Sequence, residues 1–171
     1  MSLGPDGKAS WRGLFGCLLL GVLAVTALVA VVTHFHRRHA ATEARVDSEF
    51  LQPWAAAVRE GRVGPAWDTL TTARYRADRP KPDVEATWKA AATRFGALSA
   101  VDVTSATATT QLGAGRSFQQ VVTRWRWSAG AEFFLTLELV DVPGTGFRLE
   151  AARAGGRNSP VQPPGLPDGP W

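Results

Sequence analysis

His34, His36 and His39 stand in an H-x-H-x-x-H arrangement whose spacing a metal ion could use. Arg37 and Arg38 lie among them, and two fixed cations oppose a divalent ion, so the cluster reads as a polar belt and no metal or cofactor is assigned. Beyond His39 there is no further histidine, and the single cysteine, Cys17, comes earlier in the chain. The remainder therefore lacks the usual neutral-pH proton shuttle, the common nucleophile dyads and most zinc sites. Carboxylates and guanidiniums remain. Asp102, Glu132, Glu138, Asp141 and Glu150 fall on or beside predicted strands, with no spacing that forces two of them together.

Arg124 and Arg126, with Arg74, Arg76 and Arg79 in a predicted loop, carry planar multi-donor groups suited to an anion or an acidic partner. The competing use is ion pairing with Glu138 and Glu150, worth under about 1 kcal/mol for an exposed pair. Trp125 and Trp127 alternate with those arginines and are candidates for ligand contact. Trp54, Trp67 and Trp88 recur at helical spacing and read as core.

The elements that must position these groups follow from periodicity. From Gly13 to Thr33 the chain carries no charge, which predicts an uncleaved helix of about 20 residues spanning a membrane, with residues 1–12 as a short tail and 34–46 as a juxtamembrane stalk. Gly13, Cys17 and Gly21 recur every four residues and would let this helix pack closely on another. Lys8 and Arg12 before the segment nearly balance Arg37, Arg38 and Arg45 after it; the short N-terminal tail favours placing the remainder outside the cytoplasm.

The formal charge of +4 sits mainly beside that segment, because residues 40–154 hold 14 Lys and Arg against 13 Asp and Glu. Attraction to anionic lipid headgroups fits this distribution, and a nucleic-acid partner does not. Residues 155–171, with five prolines and almost no aliphatic side chain, predict a disordered tail.

Between stalk and tail, three helices are expected. The first covers residues 41–60 with Pro53 bending or breaking it, the second opens at Gly64-Pro65, and the third is capped by Asp83 and ends near Gly96. After Gly96 the period changes to two, and four strands joined by short glycine-bearing turns predict an antiparallel meander. The fold class is α+β, with three helices packed on a curved four-stranded antiparallel sheet behind one transmembrane helix.

The stretches "FLQPWAAAVREGRVGPAWDTLTTARYRAD" and "WKAAATRFGALSAVDV" resemble the opening of the nuclear transport factor 2-like superfamily, particularly its small bacterial envelope domains. Gly61, Ala66, Trp67 and Leu70 match its second-helix motif, and Phe95, Gly96 and Leu98 match the end of its third helix. The resemblance covers roughly residues 47–153, within a domain placed at 47–154. It implies a cone in which sheet and helices enclose a pocket, used by different members for catalysis, ligand binding or protein contact. Catalytic members typically place Asp or His inside the cone, and this sequence offers no histidine there.

The expected function is that of a single-pass, membrane-anchored binding or assembly protein of the bacterial envelope, non-catalytic. It would meet a membrane-protein complex or a second copy through the anchor helix. The alternative is a cone that binds a small ligand or works as a carboxylate- or Arg-based enzyme. A filled cone favours the first; a roomy pocket holding a buried acid favours the second.

Overall fold

The computed structural model describes residues 11–111 and 116–155. The chain divides at Ala40/Ala41 into two compact units. Helix α1 runs Trp11–Val46, and its described large apolar side chains between Leu19 and Phe35 stand open, with Leu23 56%, Leu28 64% and Phe35 59% exposed.

The expected transmembrane helix over residues 13–33 is corrected here: among the described residues, no helix is long and apolar enough to cross a membrane. His34, His36, Arg37 and Arg38 follow on the same helix. The side chains of Gly13 and Cys17 lie outside the described residues. At Gly21 an added methyl group would meet nothing within 4 Å.

In the second unit a π-helical turn, Asp47–Leu51, leads into α2 (Gln52–Arg59). The Gln52 amide donates to the Asp47 carbonyl, five residues back, just before Pro53, which has no amide to give. Proline thus marks the expected discontinuity, and the backbone absorbs it as a π turn within a continuing helical path. Val46, inside the expected stalk, is completely buried, so the core begins before residue 47.

Helix α3 (Val63–Leu70) and helix α5 (Lys81–Phe95) answer to the expected second and third helices. Pro65 lies in the first turn of α3, where no intrahelical acceptor is available to an amide. The cap position of α5 is Pro80; Asp83 sits in the first turn, where its charge meets the positive end of the helix dipole. A further helix, α4 (Ala73–Asp78), occupies part of the expected loop. The Thr72 hydroxyl oxygen accepts from the Tyr75 amide at 3.1 Å and caps it. Gly96 ends α5 at φ +81°, a conformation that favours glycine.

The sheet is the expected meander, β1 (Leu98–Gln111), β2 (Arg116–Trp127), β3 (Glu132–Val142) and β4 (Gly146–Ala154), antiparallel throughout and in order β1-β2-β3-β4. Register irregularities lie at Leu98/Ala100 and Val103/Ser105 in β1 and at Glu150 in β4, where Glu138 and Leu139 pair with Ala151 and Leu149. Alternation then separates the faces. Val121, Thr123, Trp125, Trp127, Phe133, Leu135, Leu137 and Leu139 are buried beneath Phe50, Trp54, Val58, Val84, Trp88 and Ala91 from the helices. This is an α+β domain with one apolar layer between helices and sheet.

Arg45 fastens one corner of it. Its guanidinium donates to both Glu49 oxygens at 2.9 and 3.1 Å and to both Asp141 oxygens at 3.0 and 3.3 Å, and lies 5.0 Å from the Phe147 ring centre. Hydrogen bonds to Glu49 and then Asp141 raise its pKa further above the ordinary arginine value. A residue expected to mark a membrane flank thus joins the π turn to the β3–β4 hairpin.

Candidate functional site

The expected pocket would lie on the helix-covered face of the sheet. Trp54, Trp88 and Trp125 converge there with Phe50, Leu135, Leu137, Leu149 and Ala152, and the space left between them is about 10 Å³, about what one water needs. Its lining includes no ionisable side chain. The Trp88 and Trp125 ring centres lie 4.8 Å apart, and Phe50 stacks on Trp54 at 5.7 Å.

One hydrogen-bond chain runs through this layer. The Trp125 indole N–H donates to the Thr123 hydroxyl at 2.8 Å, and that hydroxyl donates to the Leu135 carbonyl at 3.1 Å, so the polar atoms of two fully buried residues are satisfied. Trp125 and Trp127, candidates for ligand contact, are therefore core residues, 1% and 3% exposed. The Trp127 indole nitrogen is buried without a hydrogen-bond partner, and its ring stacks with those of Trp88 and Phe133.

Arg124 and Arg126 point to the opposite face. Both reach Asp102 on β1, Arg126 at 2.6 Å and Arg124 at 3.4 Å, so one carboxylate serves two guanidiniums. The partner is Asp102, the cross-strand neighbour of Arg124, instead of Glu138. Glu138 pairs with Arg153, and Glu150 pairs with Arg74 at 3.5 Å. Arg76 serves the helices: it donates to the Thr71 carbonyl at 2.7 Å and the Asp68 carbonyl at 3.2 Å at the end of α3, with its charge 5.9 Å from the Trp67 ring. The arginines singled out together in the sequence are thus divided among three places.

Where α4 meets β4, a surface cleft of about 500 Å³ is lined by Tyr75, Asp78, Arg79, Glu138, Glu150 and Arg153. Position in the strands brings Glu138 and Glu150 to one place, which their spacing alone could not disclose. Their side chains are only 18% and 13% exposed, whereas Arg153 and Arg74 are 65% and 62% exposed. Burial holds the Tyr75 phenol well above its ordinary value, and the charge of Arg79 opposes that shift. The cleft can hold a polar or cationic group against two carboxylates; it carries no nucleophile–base pair among the described residues. Its signal in the sequence was Thr72, whose cap creates α4 and so one wall of the cleft.

Among the described residues, no group of three or more His, Cys, Asp or Glu is placed to hold a metal ion. His34, His36 and His39 remain on α1. Comparison of the chain with protein-family models, with curated proteins and with solved structures gave no match.

Proposed function

We propose that this chain is a non-catalytic binding or assembly component, and that residues 47–153 form a cone of the nuclear transport factor 2-like kind whose interior has been given over to packing. The observation that carries the reading is the interior itself: three tryptophans leave about 10 Å³ with no ionisable group, where an enzyme or ligand carrier needs space and a buried acid. The apolar side chains of α1 add support, because a helix exposing Leu19, Val22, Leu23, Leu28 and Phe35 is covered by apolar surface in its working state. A protein partner that presents apolar helices suits it. The resemblance to bacterial envelope domains makes the cell envelope the place we propose for that assembly.

The test is quantitative co-isolation of the full chain from its own cells after cross-linking. Leu23→Glu with Val29→Glu is expected to lose the partners retained by the parent chain, while Asp102→Asn and Glu138→Gln with Glu150→Gln keep them and any cellular function. Loss of function in the folded carboxylate variants, with partners kept, contradicts the non-catalytic reading.

A second reading rests on the α4–β4 cleft. Two shielded carboxylates whose arginine partners are largely exposed would accept a small cationic ligand that takes the place of the arginines. Calorimetric titration with a diamine, on the parent and on Glu138→Gln with Glu150→Gln, distinguishes the two readings.

A further inference from the structure

The two edges of the sheet are finished differently. On β4, Thr71 forms a parallel bridge with Leu149, the Thr72 amide donates to the Leu149 carbonyl at 2.9 Å, and Arg148, Glu150 and Arg153 place charges along the strand. These are the means by which an edge strand is kept from pairing with another chain. On β1 the protection is confined to the beginning: Arg59 donates to the Leu98 carbonyl at 3.3 Å, and both register irregularities fall at or before Ser105. From Ser105 onward the strand follows β2 in regular register. Residues 103–111 contain no charge and no proline, and among the described residues no backbone hydrogen bond outside the β1–β2 ladder reaches residues 99–111.

Residues 105–109 read Ser-Ala-Thr-Ala-Thr, which is nearly the same in both directions about Thr107. If two copies pair antiparallel through this edge, a twofold axis at Thr107 sets Thr107 against its own copy, Ala106 against Ala108, and Ser105 against Thr109. Each contact is small against small or hydroxyl against hydroxyl, a favourable class of cross-strand pair, and none joins like charges. A twofold interface requires this self-complementarity. An unrelated strand would need only the open edge; the near-palindrome selects a second copy.

We propose that two copies of this chain associate through the β1 edge, antiparallel about Thr107, to form one continuous eight-stranded sheet. This goes beyond the reading of the filled interior and would hold whether or not α1 engages a partner.

The test uses the full chain with Cys17→Ser, so that an introduced thiol is the only one. Across such an axis the Thr107 Cα atoms would lie about 4.5 or 5.5 Å apart, according to which ladder position they take, and both separations suit a disulfide. Thr107→Cys is expected to form a disulfide-linked dimer under mild oxidation roughly tenfold or more faster than Ser99→Cys, which lies on the protected part of the same strand. Thr107→Lys, with its fold checked by circular dichroism, is expected to shift the parent dimer to monomer in sedimentation. Equal cross-linking of the two thiol variants, or a sedimentation profile unchanged by the lysine, overturns the proposal.

Discussion

The two faces of β2 teach opposite lessons from adjacent residues. Trp125 and Trp127 lie in the core, while Arg124 and Arg126, one residue away from them, share Asp102 on the other side of the sheet. On the inner face both rings pack among other buried side chains, and Trp125 is also held by its hydrogen bond to Thr123, so the loss of one side chain leaves a hole. On the outer face the partners are half exposed and water can replace them. The inner face accounts for stability, and the outer face is where the molecule can vary or bind.

The largest effects are expected inside. Trp125→Ala removes a ring packed against Trp88 and should cost about 3–5 kcal/mol in chemical denaturation; a cost under about 1 kcal/mol would deny that the interior is closely packed. Thr123→Val keeps shape but leaves the Trp125 indole N–H without its acceptor, so a loss of about 1–3 kcal/mol is expected, with Thr123→Ser close to the parent.

Tyr75 tests burial at the edge of the same layer. It is the only tyrosine, so tyrosinate absorbance reports on it alone. Its folded pKa is raised above the ordinary 10.0, so the neutral phenol favours the folded state: this contribution is complete below pH 10.0 and is lost progressively as pH rises above that value. Tyrosinate should therefore appear in step with unfolding; a simple titration centred near 10.0 in the folded protein would contradict its burial. The smallest effect belongs outside, where Arg126→Ala should change stability by under about 1 kcal/mol, less in high salt.

Much of the fold was legible because it rests on local rules. The switch to period two after Gly96, the glycines of the turns and the spacing of Val84, Trp88 and Ala91 all correspond to observed elements. Helix α4 was missed because proline and arginine in "RYRADRPKP" outweighed a single capping hydroxyl at Thr72. The site was less legible. Alternation placed Trp125 and Trp127 opposite Arg124 and Arg126, but only the two opposing helices, α2 with Trp54 and α5 with Trp88, show that the tryptophans fill the interior. The pairing of Asp102 with two arginines depends on strand register, and the meeting of Glu138 with Glu150 depends on the irregularity between β3 and β4. An apolar run, likewise, predicted a membrane-spanning helix, whereas among the described residues no helix is long and apolar enough to cross a membrane.

The central claim is that the interior is filled, and titration of the full chain with a small apolar molecule such as benzene, followed by thermal unfolding, tests it directly. A ligand that binds only the folded state raises the unfolding temperature in proportion to its occupancy. A filled interior gives no saturable rise for the parent chain and a saturable rise for Trp88→Ala, where a ring-sized space has been opened. A saturable rise in the parent would show that the interior is not filled and return it to the role of a binding pocket.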